Sequence, residues 1–152
     1  NLLIVQTFSK SRSMAGMRIG YAFGNKDLIK ALNDVKFSFN SYTMNMTSIK
    51  YGVASINDKA YFDECVGKII ETREKAKGSL TKLGFTFPDS KANFIFATHK
   101  SVPAKEIFEK LKAKKIYVRY FNQPGIDNYL RITVGTDEQM DKLIQALSDI
   151  VA

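Results

Sequence analysis

Metal-binding chemistry has little to work with in this chain. It holds one cysteine, Cys65, and one histidine, His99. A single cysteine excludes an internal disulfide and any multi-cysteine metal site, and a single histidine excludes a two-histidine motif. No metal is expected. Long apolar runs are also missing: nothing approaches the ~20 residues needed to span a bilayer. No charged segment followed by a long apolar stretch opens the chain, so no signal peptide is expected. Proline is scarce, with three residues, and arginine is sparse, with only five of the 23 cations, at positions 12, 18, 73, 119 and 131. Acidic residues number only 15, which leaves a formal net charge of +8.

What is present suits a soluble globular chain. Of the 152 residues, 45% are hydrophobic and 25% charged, enough apolar material for a real core. The basic excess speaks to solubility and weak attraction for anions. The lysines are spread along the chain. Their one cluster, Lys110, Lys112, Lys114 and Lys115, falls at an expected helix end, where cations suit the helix dipole. A lysine-rich nucleic-acid binder would need clustered arginines and a recognition helix, and neither is evident. We therefore expect no nucleic-acid and no membrane partner.

Residues 2–8 are apolar and β-branched enough for a strand buried on both faces. A small-residue loop over 9–17 ends in Ala15-Gly16, and residues 18–23 read as a second strand stopped by Gly24-Asn25. Asn25 can cap a helix over 26–34. Residues 37–42 are aromatic and polar without clear period, and helix resumes over 45–55. Phe62, Val66, Ile69, Arg73, Ala76, Leu80 and Leu83 then recur at spacings of four and three. This stripe predicts an amphipathic helix over 58–83, closed by Gly84. Strands follow over 92–97, 116–120 and 128–134. A helix over 102–114 with Pro103 in its first turn precedes the second of them, and a last helix capped by Thr136 follows the third. His99 reads as a surface turn residue and Cys65 as partly buried. The chain starts Asn-Leu-Leu-Ile without Met and runs at once into a strand, so we expect a piece of something larger.

Ser9, Lys10 and Arg18 carry the candidate chemistry. If the two flanking strands pair antiparallel, Lys10 and Arg18 fall at one end of the sheet. A like charge beside an ammonium favours the neutral amine, which is a nucleophile towards carbonyls. A guanidinium with a hydroxyl and loop amides suits a phosphate dianion. A ligand with both a carbonyl and a phosphate, such as pyridoxal phosphate, would fit this set.

The full wording is more specific. Thr7-Phe8-Ser9-Lys10, followed by Ala15-Gly16-Met17-Arg18-Ile19-Gly20-Tyr21, closely resembles the cofactor-lysine segment of fold-type I pyridoxal-phosphate aminotransferases. The resemblance implies that Lys10 bonds to the cofactor, and that Ser9 and Arg18 hold its phosphate. Tyr129-Leu130-Arg131-Ile132-Thr133-Val134-Gly135-Thr136 resembles the segment whose arginine clamps a substrate carboxylate. Val118-Arg119-Tyr120 resembles the strand whose arginine, in the histidinol-phosphate aminotransferase branch, meets the substrate phosphate. Arg119 and Arg131 are thus the candidate substrate-binding residues.

The resemblance covers essentially the whole chain and implies an α/β fold. Residues 1–45 would be the end of the large cofactor domain, and residues 46–152 a small α+β domain with its long connecting helix. It implies an enzyme, most simply one that transaminates histidinol phosphate with 2-oxoglutarate in histidine biosynthesis. Small-molecule substrates, a homodimeric parent and a cytoplasmic location go with it. Aromatic amino-acid aminotransferases and threonine-phosphate decarboxylase share much of the wording. An aminotransferase-like domain behind a DNA-binding module is the alternative from another class. The family's partner for the pyridine nitrogen lies before the lysine, so this chain alone is expected to be inactive and to bind cofactor poorly.

Overall fold

A computed structural model describes residues Asn1–Ala152. The chain folds as two compact units, Asn1–Val66 and Gly67–Ala152.

An antiparallel hairpin opens the first unit. β1 (Leu3–Thr7) pairs with β2 (Gly20–Gly24), with Leu3 opposite Gly24 and Thr7 opposite Gly20. The burial expected of this first strand is not found. Leu2, just before β1, is 65% and Val5 67% exposed, and β1 pairs with β2 alone. α1 (Lys26–Phe39) starts as expected, with Asn25 accepting from the Asp27 amide, but runs five residues further. No proline or glycine breaks it before Asn40. Its aromatic end lacks a readable period because nothing buries it, Phe39 being 90% exposed.

α2 (Met46–Asn57) is capped by Asn45, which accepts from the Ser48 amide. It turns Ser48 and Gly52 inward, one turn apart. Gly52 allows a close approach: a Cβ there would stand 2.9 Å from the Ile19 Cδ1 methyl. The buried hydrophobics of this unit are Phe8 and Ile19.

The long helix α3 (Lys59–Lys82) runs on into the second unit. Within 67–152 its expected stripe is inward: Arg73, Ala76 and Leu80 are buried. The Arg73 stem lies along the apolar face, while its head donates to Glu74 at 3.0 Å and to the Ala92 carbonyl at 3.1 Å. Gly84 ends the helix at φ +86°, a conformation that glycine adopts without a steric cost.

Four antiparallel strands follow in the spatial order β3 (Phe85–Thr86), β4 (Phe94–His99), β6 (Leu130–Thr133), β5 (Arg119–Tyr120). β3 is a two-residue edge that the pattern did not announce. The strand expected over 116–120 shortens to its last two residues. α4 (Ala104–Ala113) and α5 (Asp137–Val151) contribute Ile107, Leu111, Met140, Leu143 and Leu147 to one core with Ile95, Leu130 and Ile132. Each fully buried Leu or Ile is worth about 1.5–3 kcal/mol. α5 begins with a capping box: the Gln139 amide donates to Thr136 Oγ1 and the Thr136 amide to Gln139 Oε1.

His99 is corrected from a surface turn to a core residue, only 5% exposed. Its Nδ1 accepts from the Val102 amide at 3.0 Å and its Nε2 meets the Leu83 carbonyl at 2.9 Å. One histidine so ties the end of β4 to the end of α3 and the entry to α4. It lies on the inward side of the β4 alternation, which decides its burial.

Candidate functional site

The hairpin of the first unit closes where its two strands stop pairing. The Phe8 amide donates to the Ile19 carbonyl at 3.1 Å, just beyond the Thr7–Gly20 pair. Everything from Ser9 to Arg18 is therefore one loop, and the antiparallel condition for bringing Lys10 and Arg18 to one end of the sheet is met. Lys10 is exposed and sits in a turn, its carbonyl accepting from the Ser13 amide at 3.1 Å. Ser9 is half-buried, and its amide donates to Thr7 Oγ1 at 3.3 Å.

Arg18 follows a single 3-10 turn (Ala15–Met17) and takes the left-handed conformation, φ 56° and ψ 38°. Ser13 also has positive φ, at 54°. Two non-glycine residues in this region store about 1–3 kcal/mol each, strain that folded chains concentrate where geometry serves a site. The Arg18 Nη1 donates back to the Ala15 carbonyl at 3.1 Å. This steadies the guanidinium and leaves most of its five N–H donors available. No carboxylate occurs in the chain before Asp27. The loop thus offers an amine, a hydroxyl and a guanidinium with no internal anion to neutralise them, which is a donor set for a phosphate beside a carbonyl.

Helix α2 holds this loop in place, through residues that sequence reading left aside. Ser48 is buried and donates from Oγ to the Met17 carbonyl at 2.7 Å, next to Arg18. Gly52 lies one turn on, against Ile19. Arg12 donates to the Ser55 carbonyl and stacks its guanidinium 3.9 Å from the centre of the Phe62 ring. Nothing in the spacing of Ser48 or Arg12 marks them, since their partners are 31 and 43 residues away. Two clefts, of about 620 and 800 Å³, border the loop through Ser11 and Arg12, yet neither Lys10 nor Arg18 lines them. The candidate residues Lys10 and Arg18 thus lie outside both clefts.

The second pair of candidates lies in the second unit. Arg119 of β5 and Arg131 of β6 are direct cross-strand partners. Strand alternation puts Ile95, Ala97, Leu130 and Ile132 on the buried face of the sheet and Phe94, Phe96, Arg131 and Thr133 on its open face. Two guanidiniums directly opposite on one face repel each other. An anion shared between them converts that cost into charge-assisted hydrogen bonds. Phe96 and Tyr129 stack beside them at 4.6 Å. The structure therefore gathers Ser9, Lys10 and Arg18 on one loop and Arg119 and Arg131 on one sheet face, each set within its own unit.

Known proteins resemble this chain over nearly its whole length. The family model described as aminotransferase class I and II matches residues 1–147. Histidinol-phosphate aminotransferase of Brachyspira hyodysenteriae is 53% identical over 151 residues, covering 99% of this chain and 43% of that protein. The structure of histidinol-phosphate aminotransferase from Sinorhizobium meliloti in complex with pyridoxal-5'-phosphate superposes with a TM-score of 0.84 at 25% identity, covering 99% of this chain and 41% of that one. That from Clostridium acetobutylicum gives a TM-score of 0.87 at 23% identity, over 99% and 46%, and supports the fold. The chain spans less than half the length of the curated relatives it matches. With a family model running over nearly all of it, this chain belongs to the class I and II aminotransferases.

Proposed function

We propose that a protein carrying this chain transfers an amino group between histidinol phosphate and 2-oxoglutarate with pyridoxal phosphate as cofactor. The observation that carries the proposal is that Ser9, Lys10 and Arg18 all belong to the one loop between β1 and β2, which holds no carboxylate. Its donor set fits the cofactor: an amine for the aldehyde, and a hydroxyl and a guanidinium for the phosphate. Relatives about half identical to this chain carry the histidinol-phosphate name and support the substrate.

When bound, pyridoxal phosphate supplies an electron sink for the carbanion formed at the substrate's amine-bearing carbon. The chain's residues do the rest. Lys10 Nζ would hold the cofactor by condensing with its aldehyde carbon, with loss of water. Once released, the same Lys10 amine would take the proton from the substrate's amine-bearing carbon and deliver it to the C4′ carbon of the cofactor, a general base and then acid on one flexible stem. Arg18 and Ser9 keep the cofactor phosphate fixed through this exchange. Arg131 and Arg119 would hold the anionic end of the substrate through charge-assisted hydrogen bonds. For histidinol phosphate the two would share the phosphate; for glutamate each would take one carboxylate.

Residues 1–45 are proposed to close the large cofactor domain and residues 46–152 to form the small domain, in a cytoplasmic homodimer. The test is replacement of Lys10 by Ala in the whole protein. Turnover should vanish while the fold, read by circular dichroism, persists. An active variant would remove the proposal.

A further inference from the structure

The two arginines of the open sheet face share an aromatic ring that no motif assigned. Phe121 directly follows β5, two residues beyond Arg119, so strand alternation returns it to the face of Arg119. The Arg119 guanidinium lies 5.5 Å from the Phe121 ring centre and that of Arg131 5.9 Å from the same centre. Arg131 also lies 5.6 Å from the Phe94 ring, and Phe121 stands edge-on to Phe96 at 6.2 Å. The ring is half-buried, so part of it is shielded from water while the guanidiniums stay exposed.

Two cations placed opposite each other repel, and long side chains that repel splay into solvent. A π-face attracts each of them and favours conformations in which both remain over the sheet. The benefit is greatest for a ligand that needs both arginines at once. A phosphate monoester dianion is such a ligand, and a single carboxylate is not. We propose that Phe121 is a positioning residue for substrate specificity, holding Arg119 and Arg131 together as one fork for a dianionic phosphate. This rests on the reading of Arg119 and Arg131 as substrate-binding residues.

The test uses the whole protein with Phe121→Leu, which keeps bulk without a π-face, and Phe121→Tyr, which keeps both. Arg119→Ala and Arg131→Ala serve as controls. KM and kcat are measured for histidinol phosphate and for phenylalanine, together with the binding of inorganic phosphate followed by the Arg side-chain NMR signals. Losing two weak cation–π contacts should raise KM for histidinol phosphate and weaken phosphate binding by about three- to tenfold in Phe121→Leu, with kcat and the phenylalanine KM little moved. Phe121→Tyr should restore both. If Phe121→Leu matches the parent while either arginine variant loses phosphate binding, the inference falls and the arginine reading stands. If neither arginine variant changes phosphate binding, both fall. Equal losses on both substrates in Phe121→Leu would mark a merely structural ring and overturn the inference.

Discussion

At the scale of single residues, some side chains are proposed to touch ligand and others to hold those in place. Arg18 belongs to the first kind. Charge-assisted hydrogen bonds to a phosphate contribute about 1.5–3 kcal/mol, so Arg18→Ala should weaken cofactor binding by about 10- to 100-fold, measured by equilibrium dialysis. Ser48 belongs to the second. Ser48→Ala leaves the Met17 carbonyl without its 2.7 Å donor and should cost about 1–3 kcal/mol locally. Faster hydrogen exchange of the loop amides between Ser9 and Arg18 would report it. An unchanged exchange pattern would show that the loop holds its shape without α2. The candidate residues Ser9, Lys10 and Arg18 could be singled out in the sequence because they sit inside a contiguous motif. Ser48, Arg12 and Phe121 could not, because their meaning depends on partners brought close only by folding.

At the scale of elements, caps and charges concentrate in the second unit. Hydrogen bonding from Lys77 and Lys91 holds the Asp89 carboxyl down to about 2. Asp137 is lowered by its bond from Thr72, then by Lys75, which links α3 to the start of α5. Asp149 is lowered chiefly by Lys114, a link between the ends of α4 and α5. A carboxylate lowered on folding stabilises the fold above its unfolded value of about 4 and loses that contribution as pH falls through its folded value. Acid titration from about pH 4 towards pH 2 should therefore loosen the packing of α3, α4 and α5, each pair contributing little because it is exposed. Near-UV circular dichroism across that range checks this. Loss of the Thr136 cap by Thr136→Ala should cost about 1 kcal/mol in a denaturant melt. Helices with caps and stripes were readable in advance: Asn25, Asn45, Thr136 and Gly84 all mark real ends. The two-residue strand β3 was not, and β5 was expected three residues longer, since so short an edge is set by the neighbour it pairs with.

Across the whole molecule, apolar side chains are unequally used. The continuous core lies between Ala76 and Leu147, while in the first unit Phe8 and Ile19 are the buried hydrophobics. Native-state hydrogen exchange of the chain should show β1, β2 and α1 opening well before β4, β6 and α5. Equal protection in the two units would contradict this. The same imbalance explains why the hydrophobicity of residues 2–8 was misleading. Composition announces what a strand is suited to pack against, and burial needs that surface to be present. The alternation in β4 and β6, by contrast, was a sound guide, because both the sheet and its helices lie within the chain.

The proposed covalent anchor for pyridoxal phosphate is the amine of Lys10. The direct measurement is to incubate the whole protein with the cofactor, reduce with borohydride, digest, and locate the label by mass spectrometry. The label should appear on the peptide holding Lys10, be lost in Lys10→Ala and be diminished in Arg18→Ala. Label spread evenly over the other lysines, with Lys10→Ala labelled as fully as the parent, would contradict it.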